Sequence, residues 1–72
     1  MMEKFLEDIA ETLEVPTAKP EDDFRAVPMW SSLVGFSVLV MIEQRYNRKL
    51  ALADLEGAKT VADLARLAGV VA

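Results

Sequence analysis

All three prolines of this 72-residue chain, Pro16, Pro20 and Pro28, fall in one stretch, and that placement limits the fold more than any other feature. Proline lacks the backbone N–H, locks φ and pushes the residue before it out of the helical region. Val15 to Pro28 is therefore denied regular helix and becomes a long irregular connection around Asp22-Asp23, while the chain on either side is left open to helix. A connection of this length in so small a domain crosses the fold or has a function of its own. Phe24, Val27, Met29 and Trp30 are apolar enough to pin it by packing, and Trp30 reads as a loop anchor more readily than as a ligand platform.

The flanks carry helical periodicity. Phe5, Leu6, Ile9, Ala10 and Leu13 recur at helical spacing, with Glu3, Glu7, Glu11 and Glu14 on the other side, so Glu3 to Leu13 is expected to be an amphipathic helix whose acids form a solvated face. The run Val38-Leu39-Val40-Met41-Ile42 has strand character taken alone. No other segment offers a partner strand, however, and the pattern continues at helical length into Glu43-Gln44-Arg45-Tyr46, so Ser32 to Tyr46 is read as a helix stopped at Asn47. Leu50 to Gly57 holds about one helical turn before Gly57. Thr60 and Asp63 form a capping box opening a last helix, with Val61, Leu64, Ala65, Leu67 and Ala68 inward and Gly69 at its end. The expected fold is all-α, a small bundle of three main helices plus one short helix in a single domain over residues 1–72. Its core should bring Phe36, Leu39, Ile42 and Tyr46 against Phe5, Ile9, Leu13, Leu64 and Leu67.

A core of this size supplies only about 3–5 kcal/mol, which leaves few interior positions for chemistry. The chain has neither cysteine nor histidine, hence no disulfide, zinc-thiolate site, thiol nucleophile or imidazole base, and self-contained catalysis is not expected. A net charge of −4 argues against a nucleic-acid partner. The charge is uneven: residues 1–25 hold eight acids against three bases, and residues 26–72 hold four acids against five bases. The acidic start Met1-Met2-Glu3-Lys4 does not resemble a secretory leader, and the apolar stretch from Leu33 to Ile42 is too short to cross a bilayer. Together with the absence of cysteine, this leads to the expectation of an untargeted, cytoplasmic protein without a transmembrane segment.

Ser32 stands where the apolar helix begins. A helix N-terminus offers unpaired N–H groups and the positive end of the helix dipole, so a phosphate esterified to a serine there would be held by both. Serine is equally a preferred N-cap, and Ser31 or Ser32 has that simpler role open to it.

Ser31-Ser32-Leu33, the apolar helix that follows it to Glu43-Gln44-Arg45-Tyr46-Asn47, and Lys59-Thr60-Val61 opening the final helix occur in an order and spacing that resemble the acyl carrier protein family, over nearly the whole chain. The resemblance implies that Ser32 receives 4′-phosphopantetheine from coenzyme A, because Leu33 follows it as in the family's Asp-Ser-Leu. It also implies that a thioester on that covalent arm carries acyl groups of a fatty acid or specialised acyl pathway, with chemistry supplied by the cofactor and partner enzymes. The implied partners are a phosphopantetheinyl transferase and acyl-loading and acyl-transferring enzymes, met by a monomeric carrier. The sequence departs from the pattern twice. Ser31 replaces the family's Asp, and the second helix begins with Val34, Ser37 and Val40 and has its first acid at Glu43, where the family shows several acids to partners. Partner contacts are accordingly expected at Leu33, Val34, Ser37 and Val40, with Glu43, Asp54 and Glu56 as the nearby charges. The alternative reading is a helical adaptor that never takes the arm and binds partners through the second helix.

Overall fold

The computed structural model describes residues 1–70 and has the expected all-α architecture: α1 (Met2–Leu13), α2 (Ser32–Tyr46), the short α3 (Leu52–Glu56) and α4 (Val61–Leu67), with no strand among the described residues. One core is built from Phe5, Ile9 and Leu13 of α1, Val38, Leu39, Met41 and Ile42 of α2, Leu55 of α3 and Val61, Leu64 and Ala65 of α4. Phe24 joins them from the long connection and is fully buried. The run that looked like a strand is helical because its Val, Leu and Ile side chains at helical spacing reach this shared core.

Each long helix ends where its backbone can turn left-handed. Asn47 closes α2 at φ 59°, and Gly69, at φ 81°, follows α4. Beyond α4 the Val70 N–H donates to the Ala65 carbonyl and the Gly69 N–H to that of Arg66, at 2.9 and 3.1 Å. The same pair of bonds closes α1 around Glu14, which holds φ 60° without glycine's freedom.

The connection between α1 and α2 is ordered rather than wholly irregular. It contains a 3₁₀ turn, Phe24–Ala26, opened by the Asp23 side chain accepting from the Arg25 N–H. The loop also satisfies the start of α4. Val61 and Ala62 N–H groups donate to the carbonyls of Asp22 and Pro20 at 2.9 and 2.8 Å, while the expected capping box joins Thr60 and Asp63. Arg25 ties the other side, donating to the carbonyls of Ala58 and Leu55 at 2.8 and 2.6 Å while its guanidinium lies 4.4 Å from the centre of the Phe24 ring. Trp30 meets Phe24 edge to face at 5.6 Å, in agreement with a loop anchor.

Two inward expectations, Phe36 and Met29, are corrected, and one outward expectation, Asp8, is corrected as well. Phe36 is 61% exposed, since it lies about 120° around the helix from Ile42 and faces away from the core. Met29 is exposed, whereas Leu67, half-buried, packs against the core as expected. Asp8 is not part of the solvated acidic face of α1 but is 3% exposed. Its carboxylate accepts from the Tyr46 hydroxyl at 2.6 Å and from Arg45 at 2.7 Å, and pairs with Lys4 at 3.2 Å. Burial by itself pushes this carboxyl up, but the hydrogen bonds from Tyr46, Lys4 and Arg45 outweigh it and hold Asp8 below the usual range. Burial and the Asp8 carboxylate together raise Tyr46. This network joins α1 to the end of α2, beside the Phe5–Tyr46 ring pair at 5.2 Å.

Candidate functional site

The two serines at the head of α2 have different tasks. Ser31 is the N-cap, with extended backbone, its hydroxyl accepting from the Val34 N–H at 3.2 Å and its carbonyl accepting from the Gly35 N–H at 2.9 Å. Ser32 is the first helical residue and is exposed, and its hydroxyl makes no hydrogen bond among the described residues. Replacing the expected Asp by Ser31 therefore keeps the capping chemistry, because both residue types accept from the first turn.

Nothing ionisable lies between Arg25 and Glu43, so an anionic group on Ser32 meets no acid in the first turn of α2. With Val34 and Gly35 already bonded to Ser31, the N–H groups of Ser32 and Leu33 and the dipole of a 15-residue helix are what such a group would meet. A serine-linked phosphodiester fits this site: a reachable hydroxyl, donors beside it and no acid in the helix's own first turn.

Around the serine the surface is apolar. Leu33 is 75% exposed and Phe36 follows one turn on, while Ser37 is exposed and Val40 half-buried. Val34 is also half-buried and packs on the edge of the core, so its share in any outer contact is reduced. Glu43, Asp54 and Glu56 are exposed, and the Asp54 carboxylate additionally accepts from the Ala51 N–H at 2.8 Å to open α3. On its other side α2 is sealed. A Cβ on Gly35 would lie 3.1 Å from the Trp30 ring and 3.3 Å from Leu55, so glycine is what lets both pack against the helix. Phe36, expected in the core, is a surface residue beside this site. Its spacing of four from the exposed Ser32 was the available signal, since residues i and i+4 share a helix face.

A small helical protein that presents one unbonded hydroxyl at a helix mouth, with no cysteine or histidine to act for itself, has the attributes of a carrier whose chemistry is borrowed. The family described as phosphopantetheine attachment site matches residues 3–68, and the chain belongs to that family. It is accordingly a carrier domain of the acyl carrier protein type and not an enzyme, and the family's covalent cofactor is 4′-phosphopantetheine. Comparison with curated proteins and with solved structures gave no match. Membership implies interaction with a phosphopantetheinyl transferase and with acyl-handling enzymes in general. No helix among the described residues is long and apolar enough to cross a membrane.

Proposed function

We propose that Ser32 bears the 4′-phosphopantetheine arm and that the chain, as one monomeric carrier unit in the cytoplasm, presents acyl groups to the enzymes of a fatty acid or specialised acyl pathway. The observation that carries this is the division of labour at the head of α2: Ser31 is occupied as the cap and Ser32 is exposed and unbonded. When attached, the arm supplies the thiol that this cysteine-free chain lacks and holds acyl groups on it as thioesters. The protein's own part is to hold and to present. Ser32 and Leu33 N–H groups would hold the phosphate, the buried seam of α2 supports the helix mouth, and Leu33, Val34, Ser37 and Val40 form the apolar contact surface, with Glu43, Asp54 and Glu56 at its margin.

Intact mass after incubation with coenzyme A and a broad-specificity phosphopantetheinyl transferase tests the assignment. The parent should gain the mass of one arm, Ser31→Ala should still gain it, and Ser32→Ala should not. A shift that survives Ser32→Ala and disappears in Ser31→Ala would move the attachment point by one residue. No shift in any of the three would leave the adaptor reading.

A further inference from the structure

Two cavities adjoin where α1 meets the long connection. The smaller, about 170 Å³, is walled by Leu6 and Ala10 of α1 and by Pro16. The larger, about 320 Å³, has Leu13, Phe24 and Val61 as a fully buried floor, with Val15 and Val27 half-buried beside them. Thr17 and Ala18 border both. From the stretch between Leu6 and Ala10 to the end of α1 just past Leu13 is about six residues, so the two stand roughly 9 Å apart along the helix. Neither includes a residue of α2: Thr12 is the α1 residue that borders the groove beside α2, and Ala10 lies about 200° around the helix from it. Acids surround the pair. Glu7 borders the smaller cavity and Asp22 and Asp23 the larger, while Glu14 and Glu21 are exposed next to lining residues in the chain. None of the five is in an ion pair among the described residues. Asp22 and Asp23 each accept a backbone N–H, from Lys19 and Arg25, at 2.9 Å on one carboxylate oxygen, and the other oxygen takes no hydrogen bond among the described residues. Of the three bases in residues 1–25, Lys4 pairs with Asp8 and Arg25 donates to the Leu55 and Ala58 carbonyls, which leaves only Lys19 to offset five carboxylates.

We propose that this face docks a basic amphipathic segment of a partner protein, with two of its apolar side chains seated in the two cavities and its lysines or arginines set over Glu7, Glu14, Glu21, Asp22 and Asp23. Charge fixes the sign of the partner. Carboxylates crowded on one face repel each other, and a cationic segment relieves that repulsion while its apolar anchors leave water. The cavities fix its form. Anchors roughly 9 Å apart are one to two turns apart on a helix, the spacing of a single apolar stripe. The smaller cavity takes one aliphatic side chain and the larger a bulkier one. This partner is distinct from an enzyme that meets the apolar head of α2, since a segment held here covers neither Ser32 nor Leu33 and Phe36. It tethers the carrier and leaves the attachment serine open. The inference goes beyond the carrier reading and does not depend on which serine is modified.

The test titrates the full chain, followed by amide NMR, with a synthetic peptide of about fifteen residues that carries leucines at heptad spacing on one face and lysines elsewhere. Shifts should concentrate at Leu6, Ala10, Thr17, Ala18 and Asp22 and leave residues 32–40 unmoved, and the affinity should fall about threefold or more from low to physiological salt. Glu7→Gln and Asp22→Asn remove exposed charge and keep hydrogen-bonding groups, and each should weaken binding about two- to fivefold. Thr17→Lys, at the exposed wall common to both cavities, should weaken it more than either while the melt stays that of the parent. A peptide of the same composition with its leucines scattered around the helix should bind about tenfold more weakly, and Ser32→Ala should bind the original peptide as the parent does. Shifts centred on Leu33, Phe36 and Val40, or none anywhere, would overturn the proposal. Equal binding of the scattered peptide would reduce the effect to attraction between opposite charges and overturn it, as would an affinity unmoved by all three charge variants. Shifts at the same residues that grow with protein concentration before any peptide is added would make the occupant a second copy of this chain, and that too would overturn it.

Discussion

Removing the Asp8 carboxylate should come close to unfolding this protein, although the residue lies far along α1 from any cofactor chemistry. Three donors converge on it: Tyr46, Arg45 and Lys4. In Asp8→Ala the half-buried Tyr46 hydroxyl loses its acceptor, at a cost of about 1–3 kcal/mol for an unsatisfied group. Arg45 is half exposed and keeps Glu11 at 3.1 Å, and Lys4 returns to water, so those two lose only about 0.3–1 kcal/mol between them. The total, about 2–3 kcal/mol, is a large part of the 3–5 kcal/mol that a core of this size supplies, and it corresponds to a fall of roughly 10–20 °C in Tm. The pH dependence provides a second reading. Asp8 titrates below its ordinary value of 3.8 in the folded protein, so its contribution is fully present above that value and is lost as pH falls through the lowered one. The stability difference between parent and Asp8→Asn should therefore be constant near neutrality and shrink below about pH 4. Thermal melts followed by circular dichroism between pH 2.5 and 7 measure both effects. An Asp8→Ala Tm within about 3 °C of the parent, or a parent–Asn difference that persists unchanged into acid, would refute the reasoning.

Two truncations on α2 should separate its faces: Ile42→Ala, fully buried, is expected to cost about 2–5 kcal/mol in chemical denaturation, and the outward Phe36→Ala less than about 0.5 kcal/mol. Arg25→Ala removes two hydrogen bonds to the Leu55 and Ala58 carbonyls and the stacking on Phe24, and amide exchange should speed up selectively from residue 20 to 30 and from 55 to 62. Ser31→Ala should cost about 0.5–2 kcal/mol as a lost cap, whereas Ser32→Ala, whose hydroxyl bonds to nothing among the described residues, should leave the melt almost unchanged. Because no charge stands between Arg25 and Glu43, binding of a cognate partner enzyme should change little from low to physiological salt, and Val40→Asp should weaken it more than Glu43→Gln. A steep loss of affinity with salt in calorimetry would return recognition to charge.

Much of the fold is legible in the order of residues because its signals are local. Proline placement decides where helix is impossible, apolar spacing decides where it is amphipathic, and Asn47, the Thr60–Asp63 box and Gly69 mark helix ends through chemistry spanning a few residues. The Ser-Ser-Leu step at a helix mouth is local as well, which is why the class of protein could be read from the chain. What the sequence could not assign was decided by contacts between distant segments. Asp8 is buried and held ionised by Tyr46 and Arg45 arriving from α2 together with Lys4 of its own helix, and a lone Asp among the acids of α1 carries no mark of the first two. The long connection becomes ordered because Pro20 and Asp22 carbonyls meet the first N–H groups of α4, and because Arg25 finds carbonyls some thirty residues away. Gly35 has its meaning only once Trp30 and Leu55 press on it, and Phe36 is turned outward by where the other helices stand. Which of two adjacent serines caps the helix is a local matter that residue type alone leaves open, and the backbone of one turn decides it, since the Ser31 hydroxyl meets the Val34 N–H and the Ser32 hydroxyl does not. Helical periodicity is written within a dozen residues, but burial and the pairing of charges belong to the assembled core, where groups far apart in the chain exclude water together.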